Sequence, residues 1–118
     1  MVNLPQQPLL SGVSAVVPVY NSAETLELLV ARIEAVAKQL TTENFELILV
    51  NDGSRDQSWA IIEGLVSAHR WVRGINMMRN YGQHNALLAG ILAAQFNVVV
   101  TLDDDLQNPP EEIPTLLA

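Results

Sequence analysis

The chain has 118 residues, 49% of them hydrophobic and 16% charged, which fits one packed globular domain and excludes a disordered chain. Its 13 acidic and 6 basic side chains give a net charge of −7, so a nucleic-acid partner, which requires clustered Lys and Arg, is not expected. The absence of cysteine excludes thiolate chemistry and disulfides, and no apolar run approaches the roughly 20 residues of a membrane span.

The opening MVNLPQQPLLSG has no basic stretch followed by an apolar one, so no signal peptide is expected and the chain is placed in the cytoplasm. Residues 1–12 are expected to form an N-terminal tail. VSAVVPVY (13–20) predicts a first strand. Leu26, Leu29, Val30, Ile33, Val36, Ala37 and Leu40 then recur at helical spacing and predict an amphipathic helix capped by Asn21 or Ser22. FELILVN (45–51) predicts the second strand, ended by the turn-forming DGSRDQS. Trp59, Ile62, Leu65, Val66 and His69 mark a second helix, VRGINMM (72–78) a third strand, and Leu87, Leu88, Ile91 and Leu92 a third helix. NVVVTL (97–102) predicts a fourth strand, and Asn108, Pro109 and Glu111 resemble the start of a further helix.

Strands alternating with helices predict an α/β fold with a parallel sheet covered on both faces. Every polar, glycine-rich or acidic cluster falls just after a strand: YNSAE, NDGSRD, RNYGQHN and DDDLQN. In an open parallel sheet these four places share one edge, the carboxyl ends of the strands, where such sheets bind ligands.

The chemistry concentrates in TLDDDLQNPPEE (101–112). Alternate residues of an extended segment point the same way, so Asp103 and Asp105 are expected to converge, Asp104 to point elsewhere and Gln107 to continue the alternation. Two carboxylates and an amide oxygen make a hard, all-oxygen set suited to Mg²⁺ or Mn²⁺; the other reading is one helix-capping Asp among solvated neighbours. Asp52 in VNDGS is placed to accept a hydrogen bond from a base N–H, although Asx-Gly also makes plain turns. Tyr20 is expected either to stack on a flat ring or to pack on the sheet, and His84 either to meet a ligand or to start its helix. Arg79 suits a phosphate, and Gly82 permits close backbone approach. Trp59, His69 and Trp71 read as packing residues.

Other α/β families are disfavoured by what is missing. There is no G-x-G-x-x-G after the first strand, no Walker A motif, and no acidic pair after the first strand with a lysine after the last; Lys38, the sole lysine, lies in the first helix.

VVPVYN, ELILVNDGSRDQS, RNYGQHNALLAG and TLDDDLQNPPEE stand in the order and spacing of family 2 glycosyltransferases with the GT-A fold, and residues 14–118 resemble the polyprenyl-phosphate sugar transferases of that family. The resemblance implies that 13–118 are the donor-binding, N-terminal half of such a domain. It implies a nucleotide site formed by Pro18, Tyr20, Asn21, Glu24, Asp52, Arg79, Gly82, Asp103 and Asp104. It further implies a catalytic Asp105, and Mg²⁺ or Mn²⁺ held by Asp103, Asp105 and Gln107. A UDP- or GDP-sugar would be the donor and a polyprenyl phosphate the acceptor, on the cytoplasmic face of the membrane. Alternatives are transfer to a saccharide hydroxyl and a non-catalytic nucleotide- or metal-binding module. Asn51 stands where many members carry Asp, and Asp104 where Ala is common. A half-domain also exposes apolar surface, so self-association or low stability is expected.

Overall fold

A computed structural model describes residues 10–40, 44–106 and 109–114. Strands and helices alternate as β1 (Leu10–Val19), α1 (Leu26–Gln39), β2 (Phe45–Asp52), α2 (Ser58–Ala68), β3 (Val72–Met77), α3 (Gln83–Ala93) and β4 (Phe96–Thr101), followed by a 3-10 turn at Pro110–Glu112. The four strands form one sheet in the order β3-β2-β1-β4, and every pairing is parallel. The expected α/β architecture is therefore present.

The order explains where a site can form. From β1 the chain crosses by α1 and α2 toward β3, then returns by α3 to place β4 on the other side of β1. Crossovers of one hand running in opposite directions put α1 and α2 on one face and α3 on the other. The loop after β1 leads to α1 on one face and the loop after β3 to α3 on the other, and a crevice lies between them at the carboxyl ends of the strands.

The face under α1 and α2 holds the larger core. Ala15, Val17 and Val19 of β1, with Leu47 and Leu49 of β2, pack against Leu26, Leu29, Val30, Ile33 and Val36 of α1 and Ile62 of α2. The expected α1 stripe is the buried one, with Ala37 and Leu40 at its margin. Trp71 lies against Phe45 and His69, ring centroids 6.1 and 5.7 Å apart, so these aromatics pack as expected.

Two expectations need correction. β1 starts at Leu10, inside the expected tail, because Leu10 pairs with Phe96 before an irregularity in register; no alternation in LSG signals this. The N-cap of α1 is Thr25, without a side-chain cap bond; Asn21 and Ser22 lie in the preceding loop instead. The further helix expected after Pro109 opens with a 3-10 turn at Pro110–Glu112, pinned by the ion pair between Glu111 and Arg32 of α1, and residues 115–118 lie outside the described residues. The hydrogen bond and charge of Arg32 hold the Glu111 carboxyl below its usual range.

The third helix is present as expected, and it packs differently from α1. Its buried residues are Ala86 and Gly90, not the leucines. A Cβ on Gly90 would lie 2.3 Å from Val16 Cγ1, so the helix backbone sits directly on the sheet. Small residues permit that approach, and Leu88, Ile91 and Leu92 are turned outward and exposed.

At the amino edge of the sheet, away from the crevice, buried Glu46 accepts hydrogen bonds from Ser14 Oγ (2.6 Å), Gln95 N (2.7 Å) and Arg73 Nη1 (2.8 Å). With every partner present, this network ties β1, β2, β3 and the end of α3 together.

Candidate nucleotide and cation site

At the carboxyl edge the loops are stitched to one another by short polar side chains. Asn21 N donates to Ser54 Oγ (2.9 Å), Asn21 Oδ1 accepts from Arg55 N (2.8 Å), and Ser22 N donates to Ser58 Oγ (2.9 Å). Asp56 accepts from Ala23 N (3.1 Å) and Ser58 N (2.9 Å). Burial alone would raise the Asp56 pKa, but the Ser58 and Ala23 hydrogen bonds outweigh it and hold the carboxyl below its usual value. The loop after β1 is thereby fixed against the loop after β2. Asn21 adopts the left-handed conformation (φ 52°) that this arrangement requires and that Asn tolerates.

The loop after β3 is fixed from beneath. Asp52, buried at the end of β2, accepts from Tyr81 N (2.9 Å). Asn51, also buried, is occupied structurally: its Nδ2 donates to Asn76 Oδ1 (2.9 Å). Gly53 is left-handed (φ 70°), and a Cβ there would meet Asn80 N at 2.3 Å. Strand end and loop therefore touch through backbone.

Together these loops surround a cleft of about 360 Å³ lined by Pro18, Val19, Tyr20, Asp52, Gln83, Asp103, Asp104 and Asp105. Six residues singled out in the sequence are thus brought to one place. Tyr20 stands at the lip, 42% exposed. Asn21 stays in the stitching described above. Glu24 is exposed and outside the lining. Arg79 lies over the Tyr81 ring, 5.9 Å from its centroid, and Gly82 (φ 97°) caps α3; neither lines the cleft. Gln107 lies outside the described residues.

Asp104 lines the cleft and also has partners in the loop after β1. Its Oδ2 accepts Tyr20 N (2.9 Å) and the Ser22 hydroxyl, and its carbonyl oxygen accepts Thr25 Oγ1 (2.8 Å). Gln83 was not expected in the site; its position directly after Gly82, at the first turn of α3, was the available signal.

The cleft carries four carboxylates and, among its lining residues, no Lys or Arg. Among the described residues no three His, Cys, Asp or Glu are grouped to cage a metal. Asp103 and Asp105 do share the lining, and this pair fits Mg²⁺ or Mn²⁺, which commonly take one or two carboxylates and fill the remaining positions with water and ligand phosphates.

The chain is similar to proteins of known family and fold. The chain is 50% identical over 106 residues to the undecaprenyl-phosphate 4-deoxy-4-formamido-L-arabinose transferase of Photorhabdus laumondii, covering 89% of this chain and 32% of that protein. It is 51% identical over 108 residues to the protein of the same name from Pseudomonas savastanoi, covering 90% and 32%. The chain thus spans about a third of the length of these curated relatives.

Among solved structures, a Pyrobaculum calidifontis mannosyltransferase in complex with GDP-Man and Mn²⁺ superposes with a TM-score of 0.73 at 20% identity, over 91% of this chain and 33% of that one. Glucosyl-3-phosphoglycerate synthase from Mycobacterium tuberculosis, in complex with UDP, superposes with a TM-score of 0.70 at 26% identity, over 91% and 39%. The fold is the N-terminal part of the GT-A fold. Residues 14–118 match glycosyl transferase family 2, and the chain belongs to that family.

Proposed function

We propose that this chain is the donor-binding part of an inverting glycosyltransferase that passes a sugar from a UDP- or GDP-sugar to a polyprenyl phosphate at the cytoplasmic face of the membrane. The carrying observation is the cleft itself: four carboxylates and no basic side chain in its lining, at the switch point of a parallel sheet. A nucleoside diphosphate is repelled by that lining unless a divalent cation comes with it. The names of the curated relatives supply undecaprenyl phosphate as acceptor and 4-deoxy-4-formamido-L-arabinose as sugar.

In this reading Asp52 accepts a base N–H, and Tyr20 at the lip lies beside the base. Asp103 and Asp105, with Gln107, hold Mg²⁺ or Mn²⁺. When bound, the cation is a Lewis acid for the diphosphate. An acceptor phosphate oxygen attacks the anomeric carbon from the face opposite the leaving group, and the bond from that carbon to the diphosphate oxygen breaks. The acceptor phosphate is ionised near neutral pH, so the step needs positioning and charge stabilisation rather than a strong general base. No helix among the described residues is long and apolar enough to cross a membrane.

The test is a graft of residues 14–118 in place of the matched segment of the Photorhabdus laumondii transferase. The graft is expected to glycosylate undecaprenyl phosphate, and the same graft with Asp105→Asn to fall to background. A folded graft that binds both substrates without transfer contradicts the proposal.

The outward face of α3 bears on the behaviour of the chain in solution. Leu88 (52% exposed), Ile91 (43%) and Leu92 (51%) share one side of a helix that carries no Asp, Glu, Lys or Arg. We expect two copies to associate through this face. Sedimentation velocity should show a concentration-dependent dimer that Leu88→Glu with Leu92→Glu converts to monomer. A wild-type chain that stays monomeric at high concentration removes this expectation.

A further inference from the structure

We infer that Asp104 is a positioning residue, whose carboxylate clasps the loop after β1 to the loop after β4 and so sets Tyr20, Asp103 and Asp105 on one cleft. The inference rests on the proposed reading of that cleft as a cation-assisted nucleotide site.

Three donors from one loop converge on this single residue: Tyr20 N and the Ser22 hydroxyl on Oδ2, and Thr25 Oγ1 on the carbonyl oxygen. They are separated from Asp104 by 84, 82 and 79 residues, so the contacts join two strand ends rather than close a local turn. Hydrogen bonds to an ionised carboxylate are roughly twice as strong as neutral ones. Two residues on, Leu106 takes a left-handed conformation (φ 64°) and packs against the core beneath α1. That conformation is unfavourable for Leu and persists only where its surroundings enforce it. The acidic segment is therefore held at 104 by hydrogen bonds and at 106 by apolar burial. Between and beside these anchors, Asp105 and Asp103 face the cleft lining.

The arrangement also answers a problem of charge. Adjacent carboxylates repel one another. The donors from the β1 loop offset the charge of the middle one, and all three line the cleft. A ligand site held in advance binds without the cost of ordering its loops.

Two readouts separate the clasp from a direct ligand role. The first is hydrogen exchange of the Tyr20 amide in the chain without nucleotide. The second is the affinity for UDP and GDP in Mn²⁺. Asp104→Ala is expected to speed Tyr20 exchange and weaken nucleotide binding, each about tenfold. Asp104→Asn keeps an acceptor oxygen and is expected to recover most of both losses. Asp105→Asn is expected to lose nucleotide and leave Tyr20 exchange as in the wild type. Near-UV circular dichroism confirms that each variant is folded.

The inference is overturned if the wild-type Tyr20 amide exchanges as an open one. It is also overturned if Asp104→Asn binds as poorly as Asp104→Ala while Tyr20 stays protected, because the charge would then act on the ligand directly. A wild-type chain with a protected Tyr20 amide, exposed by Asp104→Ala, but with no nucleotide binding overturns the proposed function and supports the clasp.

Discussion

Asp105→Asn is expected to weaken Mn²⁺ uptake in the presence of nucleotide by about 100-fold or more. Asp103 and Asp105 are neighbours on the lining of a cleft that also holds Asp52 and Asp104. Asp104 accepts two donors from the β1 loop, and Asp52 accepts the Tyr81 amide. A cation that keeps most of its water needs its few carboxylate contacts, and removing one of two leaves a single charged anchor. The nucleotide goes with it, because no basic side chain in the lining compensates the diphosphate. Electron paramagnetic resonance of free Mn²⁺ reads the uptake directly. Glu63→Gln, an exposed carboxylate of α2 away from the cleft, is the control expected to change nothing. Uptake by Asp105→Asn equal to that of the wild type contradicts the assignment.

Gly53→Ala is expected to cost about 3 kcal/mol or more, the sum of an unfavourable backbone conformation and a close contact that cannot relax cheaply. At φ 70° a non-glycine residue is already strained. The new Cβ would stand 2.3 Å from Asn80 N and 2.6 Å from the Arg79 carbonyl carbon. Both are backbone atoms, so a whole loop must move. That loop carries Tyr81, whose amide binds Asp52, and leads into Gln83 on the cleft wall. Thermal unfolding should therefore fall by roughly 12 °C or more, and nucleotide affinity should fall as well. A Gly53→Ala variant that melts with the wild type shows that the β2 end and the β3–α3 loop do not touch as described.

Much of this was legible in the sequence, and the reasons are physical. The α1 stripe from Leu26 to Val36 follows helical period because one face meets a core and the other meets water. The β1 and β2 runs are continuous because a central parallel strand is buried on both faces. The site was legible because topology brings strand ends to one edge, so Tyr20, Asp52 and the acidic run could be placed together before any contact was known.

What the sequence hid depends on partners far along the chain. The orientation of α3 turns on Gly90 meeting Val16, a contact that periodicity cannot announce when the helix is apolar nearly all round. The early start of β1 depends on Phe96 as a partner. Alternation predicted that Asp104 would point away from its neighbours, but the chain turns at 104–105, all three carboxylates line the cleft, and only the fold shows that Asp104 also reaches Tyr20 N. Gln83 enters the site because Gly82 starts α3 there, and no feature of its own side chain marks it.

The central claim is that the cleft is a cation-assisted nucleoside diphosphate site. Calorimetric titration of UDP and GDP into the chain, each with and without Mn²⁺, tests it most directly. The account predicts one-to-one binding of one nucleotide that appears with Mn²⁺ and vanishes with chelator. Equal affinity with and without the cation, or no binding by a chain shown to be folded, would contradict it.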